Sequence, residues 1–256
     1  MSQERPSAGV FDRLHAAGSF LLDLIYPPQC PGCGRVGKLL CPACRALVQA
    51  YPQSVCILCG GSLAQRGLCA SCAVAPSALD GIFAATIFTH PIREAIHEFK
   101  YEGVRDLATP LAAWIAAVWQ RYRLEADLIV PVPLHSKREA ERGYNQSALL
   151  ARALARAVGA TVAPAELVRT VHTRPQVGLT AEERRRNIAG AFHCTGAVTG
   201  QRIVLVDDVC TTGATLEACA QALREAGADG VWGLTLARPG PGLSLEDALR
   251  IVDDSR

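Results

Sequence analysis

Several features that would place this chain in a common protein class are missing from its sequence. Its 256 residues contain no apolar run long enough to cross a bilayer, and the apolar stretch 20–25 is broken by Asp23. A basic start followed by a small-residue cleavage site is also missing. We therefore predict a cytoplasmic protein with no membrane insertion. The net charge is only +2 and the pI is about 8.0, which is too mild to indicate nucleic-acid binding by itself.

Two catalytic patterns are missing as well. The Walker pattern GxxxxGK[ST] does not occur, which argues against an ordinary nucleoside triphosphatase. The six histidines form no HxxxH or HExxH pair, so they do not indicate a histidine metal site. What the chain does have is a hydrophobic fraction of 50%, enough for a substantial core. Its length fits one large domain and a small module.

Acidic residues are missing from residues 30–72, and this window holds eight of the eleven cysteines. A two-residue gap lets two thiolates of one tight turn reach the same ion, and two such turns complete a tetrahedral sulfur site. The window therefore predicts two structural zinc ions. The four Cys-x-x-Cys pairs are Cys30/Cys33, Cys41/Cys44, Cys56/Cys59 and Cys69/Cys72.

The basic residues of this window are consistent with thiolate ligation. Each zinc with four thiolates carries a formal charge of minus two, and two such centres would be balanced by four bases. We favour consecutive pairing of the cysteines, with a cross-braced pairing as the alternative. A disulfide framework or a thioredoxin-like redox turn is the rival interpretation. The four bases are Arg35, Lys38, Arg45 and Arg66.

The segment 203–215 has the composition of a ligand-binding turn. An apolar run stops at Asp207 and Asp208, and a turn rich in threonine leads through Gly213 into the helical pattern 216–226. A helix start offers unpaired N–H groups to a phosphate, and glycine lets the backbone approach it. Carboxylates suit sugar hydroxyls or a divalent cation instead. The segment thus predicts a sugar-phosphate site, and the alternative is a buried strand and capped helix with solvated acids.

Predicted strands alternate with predicted helices from residue 82 onward. This alternation indicates an α/β fold with a mainly parallel sheet, in which the turns after strands 128–132 and 203–206 face one crevice. The strands are predicted at 82–88, 128–132, 203–206 and 231–236, and the helices at 91–99, 107–122, 146–158 and 216–226.

Two basic segments accompany this pattern. The turn 131–138 breaks its strand with proline and then presents Lys137 and Arg138, which suits either a polyanion or a solvated basic turn. Asn145 is a predicted helix N-cap shortly after it. The segment 174–187 is interpreted either as a mobile flap with an arginine-rich helix or as a solvated charged helix.

Residues 204–215 resemble the phosphoribosyl pyrophosphate (PRPP) loop of type I phosphoribosyltransferases, with apolar residues, two acids and a Thr-Gly-x-Thr turn. Over nearly its whole length the chain resembles the ComF family, in which a zinc-ribbon module precedes a phosphoribosyltransferase-like domain. The resemblance implies a type I fold, binding of magnesium and PRPP, and a role in DNA uptake during natural transformation. The further matching segments are 26–34, 99–101, 130–134, 142–146 and 176–179.

The resemblance also implies roles for individual residues. Asp207 and Asp208 would be the catalytic pair that contacts the ribose hydroxyls, with Lys137 and Arg138 near the pyrophosphate. Magnesium would bridge ribose and pyrophosphate oxygens. The 5′-phosphate would bind the N–H groups of Cys210, Thr211, Thr212, Gly213, Ala214 and Thr215. Candidates for the flap or the acceptor side are Lys100, Gln176 and Arg185.

We expect an amphipathic N-terminal helix over 1–25, a double zinc-ribbon module over 26–73, a phosphoribosyltransferase-like domain over 78–240 and a tail over 241–256. Three functions are compatible with this organisation. The first is a phosphoribosyltransferase (a pentosyl transferase) with an unidentified acceptor. The second is a non-catalytic PRPP-sensing adaptor that binds single-stranded DNA or a DNA-processing partner such as a helicase. In the third, the ribbons are purely structural.

Overall fold

The computed structural model describes residues 27–163, 166–170 and 190–241. The predicted N-terminal helix 1–25, the segment 174–187 with Gln176 and Arg185, and all but the first residue of the tail 241–256 lie outside these ranges. In the described ranges, no helix is both long and apolar enough to cross a membrane.

The core of the fold is a four-stranded sheet whose strands are all parallel and follow the order β1–β6–β5–β2, while β3 and β4 form a separate antiparallel pair. This arrangement confirms the predicted α/β class. The strands are β1 (Gly81–Ile87), β2 (Leu128–Pro131), β3 (Leu167–Arg169), β4 (Phe192–Cys194), β5 (Arg202–Val209) and β6 (Gly230–Arg238).

Helices cover both faces of the sheet, because alternate side chains of the apolar strands point to opposite faces. Val204 and Val206 of β5 belong to one core cluster, and Ile203 and Leu205 belong to the other. The first cluster includes α3, α4 and α6, and the second includes α7. The helices are α1 (Pro42–Leu47), α2 (Ala70–Val74), α3 (Ile92–Tyr101), α4 (Ala108–Tyr122), α5 (Ser136–Arg142), α6 (Gln146–Val158) and α7 (Ala214–Glu225).

The cysteine-rich module covers the free edge of β1. The Tyr51 N–H donates to the Ala85 carbonyl over 3.0 Å, and the Ile87 N–H donates to the Gln49 carbonyl over 2.9 Å. A strand edge that is covered in this way is protected from pairing with other chains. The module is therefore attached to the sheet by backbone hydrogen bonds as well as by side chains.

The structure corrects two sequence-based boundaries. We predicted that the strand stops before Asp207, but β5 continues to Val209, because Asp207 and Val209 remain in register with Thr235 and Ala237 of β6. The turn 131–138 was predicted as an irregular loop, yet its second half is the first turn of α5, which begins at Ser136. The helix predicted at 146–158 has the observed bounds of α6.

Candidate functional site

The eight cysteines of the module form two groups of four, and the sulfur atoms of each group lie within 4.8 Å of one another. The Sγ atoms of Cys33 and Cys41 are 3.6 Å apart, and those of Cys59 and Cys69 are 3.7 Å apart. Tetrahedral zinc with Zn–S bonds of about 2.3 Å places its sulfurs roughly 3.8 Å apart. The groups are the consecutive ones, Cys30/33/41/44 and Cys56/59/69/72, and all these cysteines are free of disulfides.

Backbone N–H groups support the thiolate form that zinc requires. The Cys41 N–H points to the sulfur of Cys30, and the Cys69 N–H points to that of Cys56, each over 3.4 Å. The Cys44 N–H donates to the sulfur of Cys41 and lowers the pKa of that thiol to about 6. The geometry and the donors both fit structural zinc and contradict the disulfide interpretation.

Two of the four bases in the module attach it to the rest of the chain. The Arg45 guanidinium lies 5.3 Å from the ring centroid of Trp114. That of Arg66 lies 4.5 Å from the ring of Phe83 and 4.2 Å from the ring of Tyr122. Cation–π contacts of this kind stabilise a packed interface. These two bases therefore do more than balance the charge of the sulfur sites.

A cavity of about 140 Å³ lies at the carboxyl ends of β2 and β5. This is the edge at which ligands bind in parallel α/β sheets, and the turns that follow the two strands meet there as predicted. The lining residues are Lys100, Val132, Pro133, Leu134, Arg138, Gln146, Ser147, Arg169, Asp207, Asp208, Val209, Cys210, Thr211, Thr212, Gly213, Ala214, Thr215 and Leu216.

The two acids of β5 form a buried pair on one side of the cavity. Oδ1 of Asp207 accepts hydrogen bonds from the Ser147 hydroxyl over 2.8 Å and from the Asp208 N–H over 2.9 Å. Oδ2 of Asp208 forms an ion pair with the ammonium group of Lys100, which comes from the last turn of α3. Both acids therefore have protein partners, as buried carboxylates require.

The pKa values of the two acids move in opposite directions. Burial, together with the neighbouring charge of Asp208, raises the pKa of Asp207 to about 7. Burial also acts to raise the pKa of Asp208, but the Lys100 ammonium, the hydrogen bond with Asp207 and the charge of Arg142 together lower that pKa below its ordinary value. Asp208 is thus the more acidic member of the pair.

The opposite side of the cavity is the loop 210–215, which we call the phosphate loop after the ligand predicted from the sequence. Gly213 is the N-cap of α7 with φ of +80°, and a Cβ there would lie 3.2 Å from Cδ1 of Ile82. The Thr212 hydroxyl oxygen accepts from the Ala214 N–H over 3.2 Å. The first turn of a helix has N–H groups without intrahelical partners, and the dipole favours an anion there.

The segment 142–146 positions the acid side of the cavity. Asn145 caps α6 by accepting from the Ser147 N–H over 2.9 Å, and its amide donates to the Val132 carbonyl over 3.0 Å. The Tyr144 hydroxyl donates to the carbonyl of Phe99 in α3. The predicted cap is confirmed. Through these bonds Ser147 and the end of α3 are brought next to the acid pair.

The two predicted pyrophosphate residues lie at different positions relative to the cavity. Arg138 is half-buried and lines it, whereas Lys137 is exposed and is not among the lining residues of the described chain. His135 caps α5, because its Nδ1 accepts from the Lys137 N–H over 3.2 Å. Arg138 is therefore the cation of this segment that faces the cavity.

Sequence reasoning missed three residues of the cavity wall. Ser147 and Gln146 lie in the first turn of α6, and their position beside the predicted cap was the signal that could have identified them. Arg169 of β3 had no such signal, since it reaches the cavity only through the β3–β4 pair. Burial and the charge of Arg138 lower the pKa of Arg169.

Comparison with known families divides the chain into the cysteine-rich module and the α/β domain. Residues 21–73 match the model of the double zinc ribbon domain, and residues 144–250 match that of the phosphoribosyl transferase domain. The first match covers all eight cysteines of the two sulfur sites, and the second covers the acid pair and the phosphate loop.

Three curated relatives are similar over most of their own length. Competence protein F of Haemophilus influenzae is 32% identical, over 77% of this chain and 90% of its own. DNA utilization protein YhgH of Salmonella typhimurium is 33% identical, over 74% and 86%. Competence protein ComFC of Bacillus subtilis is 28% identical, over 78% and 84%. With the two cysteine sites and the phosphoribosyltransferase-like domain, these relatives show that the chain belongs to the ComF family.

Proposed function

We propose that this cavity binds PRPP with magnesium and that the protein is a phosphoribosyltransferase-like component of DNA uptake. The observation that carries the proposal is that a buried acid pair and a phosphate loop line the same small cavity. A sugar phosphate needs both kinds of partner, hydrogen-bond acceptors for its hydroxyls and N–H donors for its phosphate. A simple phosphate would gain nothing from the acids.

The 5′-phosphate is assigned to the N–H groups of residues 211–215. The prediction that Cys210 also donates to the phosphate is wrong, because its N–H already donates to the Ala237 carbonyl. The loop lies at the start of α7, where the helix dipole favours an anion, and the left-handed conformation of Gly213 shapes the turn. The hydroxyls of Thr211 and Thr215, which also line the cavity, are further donors. Cys210 contributes its backbone to this loop, and its buried thiol has no chemical role.

The ribose hydroxyls are assigned to Asp207 and Asp208, which accept hydrogen bonds in their charged form. The same two carboxylates would hold magnesium, which when bound would neutralise charge on the departing pyrophosphate. Arg138 supplies a positive charge to the pyrophosphate. Lys137, from the same segment, stays a candidate for contact with the pyrophosphate. Lys100 keeps Asp208 ionised.

The reaction class is pentosyl transfer, in which an acceptor forms a bond to C1 of the ribose while the bond from C1 to pyrophosphate breaks. The sugar gains positive charge as the bond to pyrophosphate breaks, so the protein's part is to orient the groups, screen the pyrophosphate and exclude water. No side-chain nucleophile is needed. Gln176 and Arg185, which lie outside the described residues, and Lys100 are our candidates for the acceptor side.

Calorimetric titration of PRPP into the zinc-loaded protein with magnesium tests this proposal. The double variant Asp207→Asn, Asp208→Asn should lose at least about a hundredfold in affinity, because two acceptors of charged hydrogen bonds are removed. Asp229→Asn, at an exposed position away from the cavity, is the matched control and should bind as the wild type does. Equal affinity in the double variant and the wild type would show that the acids do not contact the ligand.

The link to DNA uptake is supported by the names of the relatives, which are called competence and DNA utilization proteins. A cytoplasmic location and a DNA-processing partner such as a helicase belong to the same proposal. For the alternative, a PRPP-sensing adaptor for single-stranded DNA, the predicted footprint joins the four bases of the cysteine-rich module to the arginine cluster 184–186, which lies outside the described residues. Within the described residues, Arg35 and Lys38 are exposed beside the first sulfur site. Arg45 and Arg66 are already stacked on aromatic rings.

The salt dependence of DNA binding distinguishes the phosphoribosyltransferase hypothesis from the DNA-binding adaptor hypothesis. Direct phosphate contacts by Arg35 and Lys38 would make affinity fall steeply with salt, and Arg35→Gln with Lys38→Gln would flatten that slope. Pyrophosphate release without DNA would instead support the transferase. We expect release to require an acceptor, so nucleobases and amines are the compounds to screen.

A further inference from the structure

Arg238, the last residue of β6, is a buried arginine that reaches the cysteine-rich module. It is only 2% exposed. Its Nη1 donates to the Leu58 carbonyl over 3.1 Å, and its Nη2 donates to the Cys59 carbonyl over 3.0 Å. These carbonyls belong to the turn 56–60, which contains Cys56 and Cys59 of the second sulfur site, Cys56/59/69/72.

The turn is closely fitted to this guanidinium. Gly60 has φ of +78°, and a Cβ there would lie 2.6 Å from the Tyr51 hydroxyl oxygen and 3.1 Å from Cζ of Arg238. The Tyr51 hydroxyl also donates to the Gly60 carbonyl over 3.4 Å. A buried guanidinium must be compensated, which the two carbonyls do. The negative charge of a zinc–thiolate centre would add to this compensation.

On its other side, Arg238 adjoins the phosphate loop. The Cys210 N–H, at the start of that loop, donates to the carbonyl of Ala237 over 3.0 Å. Val209 pairs with Ala237 in the ladder between β5 and β6. Burial raises the pKa of the Cys210 thiol, and the charge of Arg238 opposes that rise, as expected of close neighbours. The end of β6 therefore contacts the second sulfur site and the phosphate loop at once.

We propose that Arg238 is a positioning residue that couples the second sulfur site to the phosphate loop. With that site closed around its metal, the two carbonyls hold the guanidinium and thereby fix the end of β6, on which the loop is anchored through Ala237. When the site opens, Arg238 loses its acceptors and the loop loosens. The coupling itself needs no particular ligand, but its consequence for PRPP rests on the proposed function.

The first sulfur site, Cys30/33/41/44, provides the internal comparison. A Cβ on Gly32 would lie 2.6 Å from Cβ of Pro91, so this site packs at the start of α3. Its buried cysteines belong to the core cluster of α3, α4 and α6, whereas Cys210 belongs to the cluster of α7. Opening the first site should therefore affect the phosphate loop less than opening the second.

Hydrogen exchange of residues 210–217, read by mass spectrometry on the zinc-loaded protein, tests the coupling without any ligand. We expect exchange in Arg238→Gln to be about tenfold faster than in the wild type, within the range usual for coupled sites. Arg238→Lys should lie between them, because lysine donates to carbonyls but lacks the fork of arginine. Arg66→Gln is the matched control, since Arg66 also attaches the second ribbon but does so through Phe83 and Tyr122.

Opening each sulfur site separately gives a second arm. Cys72→Ser should accelerate exchange in the phosphate loop, and Cys33→Ser should leave it near the wild-type rate. Coupling is also reciprocal at equilibrium, so saturating PRPP should raise the zinc affinity of one of the two sites in the wild type, measured by competition with a chelator. This gain should vanish in Arg238→Gln, a result that a merely structural role of the arginine would not produce.

The outcomes separate the two proposals. Wild-type exchange in both Arg238→Gln and Cys72→Ser would overturn the coupling, even if PRPP binds normally. Faster exchange in these variants, combined with a wild-type protein that does not bind PRPP, would support the coupling and reject the proposed ligand. If Arg238→Gln does not fold, Arg238→Lys and Cys72→Ser decide in its place.

Discussion

The two sides of the cavity are built in different ways. The acid pair is buried, and its carboxylates already accept from Ser147 and pair with Lys100. The phosphate loop is half-exposed over residues 211–215 and forms from one contiguous stretch of chain. The acid side is thus organised before any ligand arrives, and its charge is set by neighbours from α3 and α6. The loop side depends on its own backbone shape and on its anchor at the Ala237 carbonyl.

The largest effect should come from removing the cation of the acid side. Lys100→Met would leave the carboxylate of Asp208 buried without its ion pair, which destabilises a fold by about 3 kcal/mol. Denaturant unfolding at pH 7 measures this loss. Since Lys100 lowers the pKa of Asp208, the stabilisation is present above the unfolded pKa and disappears as the pH falls. The deficit of the variant should therefore shrink in acid.

A surface ion pair is the control for this prediction. Arg202 pairs with Glu125 over 3.1 Å, and its side chain is 42% exposed. Arg202→Met should cost at most about 1 kcal/mol, as solvated pairs do. Equal losses of stability in Lys100→Met and Arg202→Met would mean that the buried ion pair of Asp208 stabilises the fold no more than an exposed one.

The loop side should respond to a change of backbone shape. Gly213→Ala forces a side chain into a left-handed conformation and brings a Cβ within 3.2 Å of Ile82, so PRPP affinity should fall by about tenfold in titrations. Gly200 has a similar φ of +72° and no atom near its missing Cβ. Gly200→Ala should cost similar stability, about 1 kcal/mol, but leave the affinity unchanged. An equal loss of PRPP affinity in Gly200→Ala would show that the effect of Gly213→Ala does not come from the phosphate loop.

The pH dependence of binding should distinguish the two sides further. The pKa of Asp207 is raised to about 7, so PRPP affinity should decline as the pH falls below 7 and the carboxylate is protonated. For the ligand-free protein, stability depends on pH in the opposite direction, because Asp207 retains a proton in the folded state that it releases in the unfolded state. The contribution of Asp207 to stability is therefore full at low pH and is lost as the pH rises through 7. Calorimetry between pH 5 and 8, with Asp207→Asn as reference, measures both trends.

The smallest effect should come from the hydroxyl of Ser147. Its hydrogen bond to Asp207 lowers the pKa of that acid against the larger effect of burial. Ser147→Ala should cost about 1 kcal/mol of stability. It should also move the midpoint of the affinity-against-pH curve to higher pH. A midpoint that stays in place would show that Ser147 does not influence the charge of Asp207.

The same contrast explains how much the sequence could predict. The phosphate loop, the consecutive cysteine pairing and the cap at Asn145 depend on residues close in sequence, and short spacings specify them. The α/β class followed from the alternation of apolar patterns. The extension of β5 to Val209 was missed because the register with β6 overrides the local polarity of the two acids.

Contacts between distant segments could not be predicted. Lys100 was a candidate for the flap or acceptor side, and its pairing with Asp208 depends on how α3 packs against the sheet. Arg169 reaches the cavity only through the β3–β4 pair, and Arg238 meets the second sulfur site across 179 residues of chain. In each case an ordinary basic residue gains its role from the fold, and its neighbours in sequence give no sign of it.

A crystal structure of the zinc-loaded protein with magnesium and PRPP would test the central claim most directly. We expect the 5′-phosphate to lie on the N–H groups of residues 211–215 and the ribose hydroxyls to donate to Asp207 and Asp208. We also expect the pyrophosphate to lie beside Arg138. A ligand bound with its phosphate away from the loop, or with its ribose away from the acids, would contradict the division of roles between the two sides of the cavity.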